Sequence, residues 1–335
     1  MVSMKDIAAK CNVSVATVSK AMNGHSDIGA ATKEMIVKTA KEMGYFPNSS
    51  ARALKTNRSY NLGVLFVDEA HNGLRQDYFS AMLDSFKVTA EAAGYDITFI
   101  NCNKTKNKMT YLEHSKYRGV DGVIIACVNF NDQEVQELLN SDVPIVTIDY
   151  VHDSRIAVLS DNTAGMSELV KYIHSMGHQK IAYIHGADST TTRNRLVGFH
   201  RTMDELGISV NPEYIIEGCY REPEIAKNAT TKLLKLADRP TCIIYPDDYA
   251  AIGGINAIKE AGLLIPEDIS VAGYDGIEIA KVLEPKLTTL EQNTEAIGAR
   301  AAKSLIELIE NPKTTEIEKF VVKGVVLEGS SVKKL

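Results

Sequence analysis

The sequence predicts a small all-α head followed by two doubly wound, parallel-sheet α/β halves, and three observations carry that prediction. Up to about residue 43 the apolar residues recur at helical spacing and are broken by short polar turns. Beyond residue 60, runs of β-branched and aliphatic residues such as NLGVLFVD and GVDGVIIAC alternate with helical stretches, as in sheets buried on both faces. The charge also changes sign: residues 1–60 hold nine Lys and Arg against four Asp and Glu, and the remaining chain holds 28 against 39. A basic head of net +5 on an acidic body of net −11 points to a nucleic-acid-binding module joined to a body that binds something else, although a basic run can also be a solvated face.

The head reads as a helix-turn-helix. Ser3 followed by Asp6 forms a capping-box pattern, and Met4, Ile7, Ala8 and Cys11 share one face of a first helix. Asn12 and Val13 make a tight turn, Ser14 caps a second helix over about 15–22, and Asn23-Gly24 stops it. Val18, Ala21 and Met22 face inward, leaving Val15, Ala16, Thr17, Ser19 and Lys20 to project, short side chains suited to a helix lying deep in a major groove. A third helix over about 31–43 is expected to close a small core with Met35, Ile36, Thr39 and Ala40.

In the body, NLGVLFVD, YDITFIN, GVDGVIIAC and PIVTIDY read as the strands of a first half, separated by helices over about 79–93 and 132–140. KIAYIHG, TCIIYP and ISVAGYD read as strands of a second half, with helices in LVKYIHSMG, RLVGFHRTMDELG and AAIGGINAIKEAG. Crossovers fall near Ser160-Asp161 and Leu290-Asn293, and a ligand belongs in the cleft between such halves. The expected division is a head over 1–47, a linker over 48–60, and a body over 61–335. Its halves take 61–160 with 292–325, and 161–291.

Composition narrows the function classes. A chain of 335 residues, 44% hydrophobic and 24% charged, has room for two or three globular units. No apolar run approaches the roughly 20 residues needed to cross a bilayer, and MVSMKDIAAKCNV lacks the apolar core of a signal peptide, so a cytoplasmic location, on the nucleoid, and no membrane partner are expected. Cys11, Cys102, Cys127, Cys219 and Cys242 are scattered without a C-x-x-C pair or a histidine at ligand spacing; they read as buried small hydrophobes, with no metal and no cofactor expected. G-x-S-x-G, P-loop and H-E-x-x-H patterns are absent, which argues against an enzyme.

MKDIAAKCNVSVATVSKAMNG with TKEMIVKTAKEMGYFPNSSARALKTN resembles the DNA-binding head of the LacI/GalR family of bacterial transcription regulators. The resemblance continues through GVLFVD, GVDGVII, VPIVTID, LSDNTAG, MGHQKIAYIHG, RLVGF, DDYAAIG, ISVAGYDG and LTTLEQN, covering almost the whole chain. It implies a body of the periplasmic sugar-binding type and a homodimeric repressor of carbohydrate uptake or catabolic genes. A small-molecule effector would release it from a pseudo-palindromic double-stranded DNA operator. Val15 and Ala16 would choose bases, with Thr17, Ser19, Lys20 and Asn23 contacting bases or backbone nearby. NSSARALKTN resembles the family's hinge helix, which makes 48–60 a hinge helix and linker, and Leu54 beside Lys55 would wedge into the minor groove.

The same resemblance places the effector among Tyr78, Phe79, Asp149, Arg195, Tyr220, Asp247 and Asp275, with Asp161 as a further candidate. Helix capping is the competing reading for each aspartate at a strand end. Three aspartates facing one arginine suit a neutral carbohydrate or polyol. Arg75, Arg193 and His71 are the residues that could reverse that count. Departures from the family pattern fall at the EAHNGLRQ insertion, at Asp247 and at Gly276. A corepressed or activating regulator answering to a non-sugar metabolite such as a nucleoside is the alternative, and a cytoplasmic sugar-binding protein or enzyme on the same fold is the rival of a different class.

Overall fold

The computed structural model describes residues 2–22, 27–46, 58–67, 73–101 and 109–335. His71, Asn23, Leu54, Lys55 and Cys102 lie outside the described residues. The chain divides into two units, Met1–Ser59 and Tyr60–Leu335.

The head unit contains α1 (Met4–Cys11), α2 (Val15–Met22) and α3 (Ala30–Glu42). The Asp6 carboxylate accepts both the Ser3 N–H at 2.8 Å and the Ser3 hydroxyl at 2.7 Å, tying down the start of α1. Asn12 ends it in the left-handed region at φ 53°, a conformation asparagine tolerates better than most side chains. Ser14 Oγ then accepts the Thr17 N–H at 3.0 Å and caps α2. Ile7, Ala8, Val18, Ala21, Ile36 and Ala40 make the buried centre. Met35 does not join it: the inward row of α3 runs from Ile36 to Ala40, and Met35, about 100° round the helix, is 43% exposed. Met43 and Tyr45 supply the missing packing.

The body unit is built on two six-stranded sheets. In the first, β1 (Asn61–Phe66), β2 (Asp96–Ile100), β3 (Gly122–Ala126), β4 (Ile145–Ile148), β5 (Ile156–Ser160) and β11 (Lys319–Val322) lie in the order β11-β5-β4-β3-β1-β2, all parallel. Leu62 and Val64 point to one face, where α4 (Asp77–Ala92) and α11 (Thr294–Glu310) pack, and Leu65 points to the other, with α5 (Tyr111–Arg118) and α6 (Gln133–Leu139). Both faces are covered, so the strands read as unbroken apolar runs.

The second sheet holds β6 (Ile181–His185), β7 (Ile215–Glu217), β8 (Cys242–Ile244), β9 (Ser270–Asp275), β10 (Thr288–Glu291) and β12 (Val325–Leu327), in the order β12-β10-β9-β8-β6-β7. Only β12 is antiparallel. One face carries α7 (Asn162–Ser175) and α8 (Thr190–Glu205), the other α9 (Pro223–Leu234) and α10 (Asp248–Glu260). Gly253 lets α9 and α10 approach closely, since a Cβ there would lie 1.8 Å from the Pro223 carbonyl oxygen.

The chain crosses between the sheets three times, after β5, β10 and β11. The third crossing brings the tail back to the second sheet, where the Ser331 hydroxyl donates to the Val271 carbonyl at 2.6 Å and the Leu335 N–H to the Met176 carbonyl at 2.7 Å. The strand ends and the crossovers bound the cleft between the two lobes.

Candidate functional site

On the head, Val15, 42% exposed, and Ala16 project from the start of α2 as their spacing requires. Thr17 is less available: its hydroxyl lies 2.8 Å from Ser14 Oγ, within the cap. Ser19 is half-buried, and Lys20 is ion-paired with Asp27, both about half exposed. A surface pair of this kind contributes about 0–1 kcal/mol, so a phosphate could take the lysine over at small cost.

In the body, the second lobe concentrates its charge round Arg195. Set on α8 and only 3% exposed, Arg195 donates from Nε to Asn162 Oδ1 at 2.8 Å and from Nη1 to the Pro246 carbonyl at 2.8 Å. Nη2 lies 3.7 Å from Asp275 Oδ1, and the guanidinium sits 3.5 Å from the Tyr274 ring centroid. Asp275, at the end of β9 with φ 105°, also accepts from Gln292 Nε2 at 2.6 Å. Burial pushes its carboxyl up to about 7 although Arg195 pulls the other way.

Tyr220 follows β7, its hydroxyl 2.8 Å from Thr192 Oγ1 and its ring against Gly186, where a Cβ would lie 2.1 Å away. Asp247 is a helix cap here: Oδ1 accepts the Ala250 N–H at 2.8 Å, while Oδ2 accepts the Arg221 N–H at 2.7 Å. Asp161 likewise caps α7 by accepting the Ala164 N–H at 3.0 Å. The competing reading of these two aspartates therefore describes their contacts.

The first lobe answers with aromatic rings and one carboxylate. The Tyr78 hydroxyl donates to Asp149 Oδ2 at 3.1 Å and lies 3.1 Å from Ser160 Oγ, while Asp149 Oδ1 accepts the Ser160 N–H at 2.7 Å. Burial raises the Tyr78 phenol well above its usual value, with Asp149 and, across the cleft, Asp275 adding to it. Burial likewise raises the Asp149 carboxyl, against the hydrogen bonds it accepts and the charge of Arg195. Phe79 packs edge-on against Phe66 at 5.2 Å, inside the lobe's own core. The structure thus brings Tyr78, Asp149, Arg195, Tyr220 and Asp275 to one cleft and assigns Phe79, Asp161 and Asp247 to its support.

The family models and relatives agree with this architecture. Residues 3–48 match the model for bacterial regulatory proteins of the lacI family, and residues 170–332 match a periplasmic binding protein-like domain. The HTH-type transcriptional repressor PurR of Aliivibrio salmonicida is 31% identical over 340 residues, covering all of both chains, and that of Photobacterium profundum is 32% identical over 343 residues, again covering both. The chain belongs to the LacI family of transcriptional repressors.

Among solved structures, a lac repressor dimer bound to operator and the anti-inducer ONPF matches 99% of each chain with a TM-score of 0.84 at 24% identity. A LacI-family regulator from Enterococcus faecium with bound ribose has a TM-score of 0.70 at 26% identity, over 82% of this chain and 99% of its own. This LacI-family chain is accordingly a DNA-binding repressor with an effector-binding type of body.

Several residues just past the strand ends carry no sequence signal of their own. Asp248, fully buried, accepts from Thr289 Oγ1 at 2.6 Å and the Ile277 N–H at 2.9 Å, and burial pushes its carboxyl well up. Phe130 and Tyr150 stack at 3.7 Å with planes 3° apart, one after β3 and one just beyond β4. Their positions past strand ends were the available clue. Of the arginines that could alter the charge count, Arg193 is bound to Asp188 on the surface and leaves the cleft. Arg221, which the count omits, enters it. Cys242 is buried as expected, whereas Cys11, Cys127 and Cys219 are half-buried because they sit at element ends.

Proposed function

We propose that this repressor works as a homodimer in the cytoplasm, on a pseudo-palindromic operator, and leaves it when a neutral, polyhydroxylated ligand such as a sugar closes the body cleft. The observation that carries the ligand class is the engagement of Arg195, whose guanidinium already faces Asn162, the Pro246 carbonyl and Asp275. A phosphate or carboxylate would have to displace those partners beside Asp149 and Asp275, at a large desolvation cost. Hydroxyls, which both donate and accept, suit carboxylates and Gln292 together. The ribose held by the Enterococcus faecium regulator supports the same chemistry. A nucleoside acting as corepressor is the second reading, favoured by the similarity to repressors named PurR and by the Tyr78 and Tyr220 rings beside Asp149 and Arg195.

A thermal-shift panel on the full-length protein with D-ribose, cellobiose, guanosine and glucose 6-phosphate tests the class. A ligand at about 100 times its Kd stabilises the folded state by about 2.7 kcal/mol. Stabilisation by glucose 6-phosphate alone would overturn the neutral-ligand reading. On the DNA side, Val15 and Ala16 suit thymine methyl groups, and Leu54 from each subunit would kink a central C-G step. Leu54→Ala is expected to weaken operator binding in a mobility-shift assay and leave ligand stabilisation intact; equal operator affinity would remove the wedge assignment.

A further inference from the structure

The loop between β7 and α9 holds a cation that none of the assigned roles uses. Arg221 sits in the left-handed region at φ 57°, a conformation that costs a non-glycine residue of order 1 kcal/mol and persists only when its surroundings impose it. Asp247 imposes it by accepting the Arg221 N–H at 2.7 Å. From that anchor the guanidinium passes 4.3 Å over the Tyr249 ring. Nη2 donates at 3.3 Å to the carbonyl of Arg75, which belongs to the 3-10 turn Gly73–Arg75 ahead of α4 in the other lobe. Arg221 therefore spans the cleft.

Its Nε–H is buried and has no acceptor among the described residues. A cation's N–H removed from water without a partner is costly, and the described residues around this strained position supply no acceptor for it. We propose that Arg221 is an effector-contacting residue: its Nε–H takes an oxygen or nitrogen acceptor of the ligand while Nη2 holds Arg75, so that one side chain reads ligand and lobe closure together. The inference rests on the effector-cleft reading above. It adds a second cation to the cleft without inviting an anion, because the Tyr249 face and the Arg75 carbonyl already satisfy much of its charge.

The test uses full-length wild type, Arg221→Lys and Arg221→Ala, with D-ribose, cellobiose and guanosine as probes in thermal shift and then titration calorimetry. Lysine can still reach the Arg75 carbonyl but has no Nε–H; alanine loses both contacts. Both variants are expected to keep the ligand-free melting temperature within a few degrees, the head and lobe cores being untouched. The probe that stabilises wild type should bind Arg221→Lys about tenfold more weakly and Arg221→Ala more weakly still. Equal affinity of wild type and Arg221→Lys for that probe overturns the Nε contact. Equal affinity of Arg221→Lys and Arg221→Ala overturns the link to Arg75. If no probe stabilises wild type, the effector-cleft reading fails for this ligand class, and the inference falls with it.

Discussion

The two lobes share a fold and differ in what they bring to the cleft. Each is a six-stranded sheet covered by helices on both faces. The first lobe offers Tyr78 and the single carboxylate of Asp149, and carries the stacked Phe130 and Tyr150 beyond its strand ends. The second offers Arg195, Tyr220, Arg221, Asp275 and Gln292, linked by hydrogen bonds and ring contacts. Fold does not set this difference. The residues just past the carboxyl ends of the strands do, and they can change without disturbing the sheet. One wall is thereby suited to cover a ligand and the other to orient it by directed hydrogen bonds.

If the second wall is one buried charge network, Arg195→Met should be the most damaging change in the cleft. It strands Asp275 without its cation and removes donors from Asn162 and the Pro246 carbonyl, for which about 3–5 kcal/mol is the expected loss in urea unfolding. A loss no greater than that of Phe130→Ala would erase the distinction between the walls.

Next comes pH. The Asp275 carboxyl is raised from 3.8 to about 7 in the folded body. The fold therefore favours its neutral form, so stability from this group is fullest below about pH 4, declines between about pH 4 and 7 by about 1.4 kcal/mol per pH unit at most, and levels off above. Asp275→Asn should flatten that slope between pH 4 and 7 in thermal melts, whereas Asp149→Asn in the first lobe should flatten it less. An unchanged slope in Asp275→Asn would place the titration elsewhere.

Smaller again is Gly186→Ala, whose Cβ would meet the Tyr220 ring at 2.1 Å and push it from Thr192. An overpacking cost of about 1–3 kcal/mol is expected, with weaker probe binding. Crystallography of the variant with Tyr220 unmoved would show that the ring does not depend on that glycine. The smallest effect belongs to the first lobe: Phe130→Leu should lose about 0.5–1.5 kcal/mol with its stack on Tyr150 while leaving the pH slope intact. A changed slope would mean that the two walls are electrostatically one.

What the sequence determined by itself is local or periodic. The Ser3–Asp6 pair, the Asn12 turn and the Ser14 cap place α1 and α2, because capping involves residues three or four apart. The long apolar runs place β1, β3, β6 and β9. Short β7 and β10 were not legible as strands, since Ile215–Glu217 and Thr288–Glu291 mix one or two aliphatic side chains with polar ones, whereas the equally short β8 stands out as the apolar run in TCIIYP. The head's tally of apolar positions also overreached at Met35, where helix period alone does not say which of two adjacent residues faces the partner helices.

Tertiary structure decided the site. Tyr78, Asp149, Arg195, Tyr220 and Asp275 come from five segments, and only the two sheets and their crossovers bring them to one cleft. It separated aspartates by the partners they meet: Asp161 and Asp247 face helix N-terminal amides and cap them, while Asp275 faces Arg195 and Gln292. It also found Arg221, whose significance lies in a carbonyl 146 residues away and in an N–H without an acceptor among the described residues. Neither is a property of sequence neighbours, because a buried hydrogen bond left unmade exists only once the chain around it has closed.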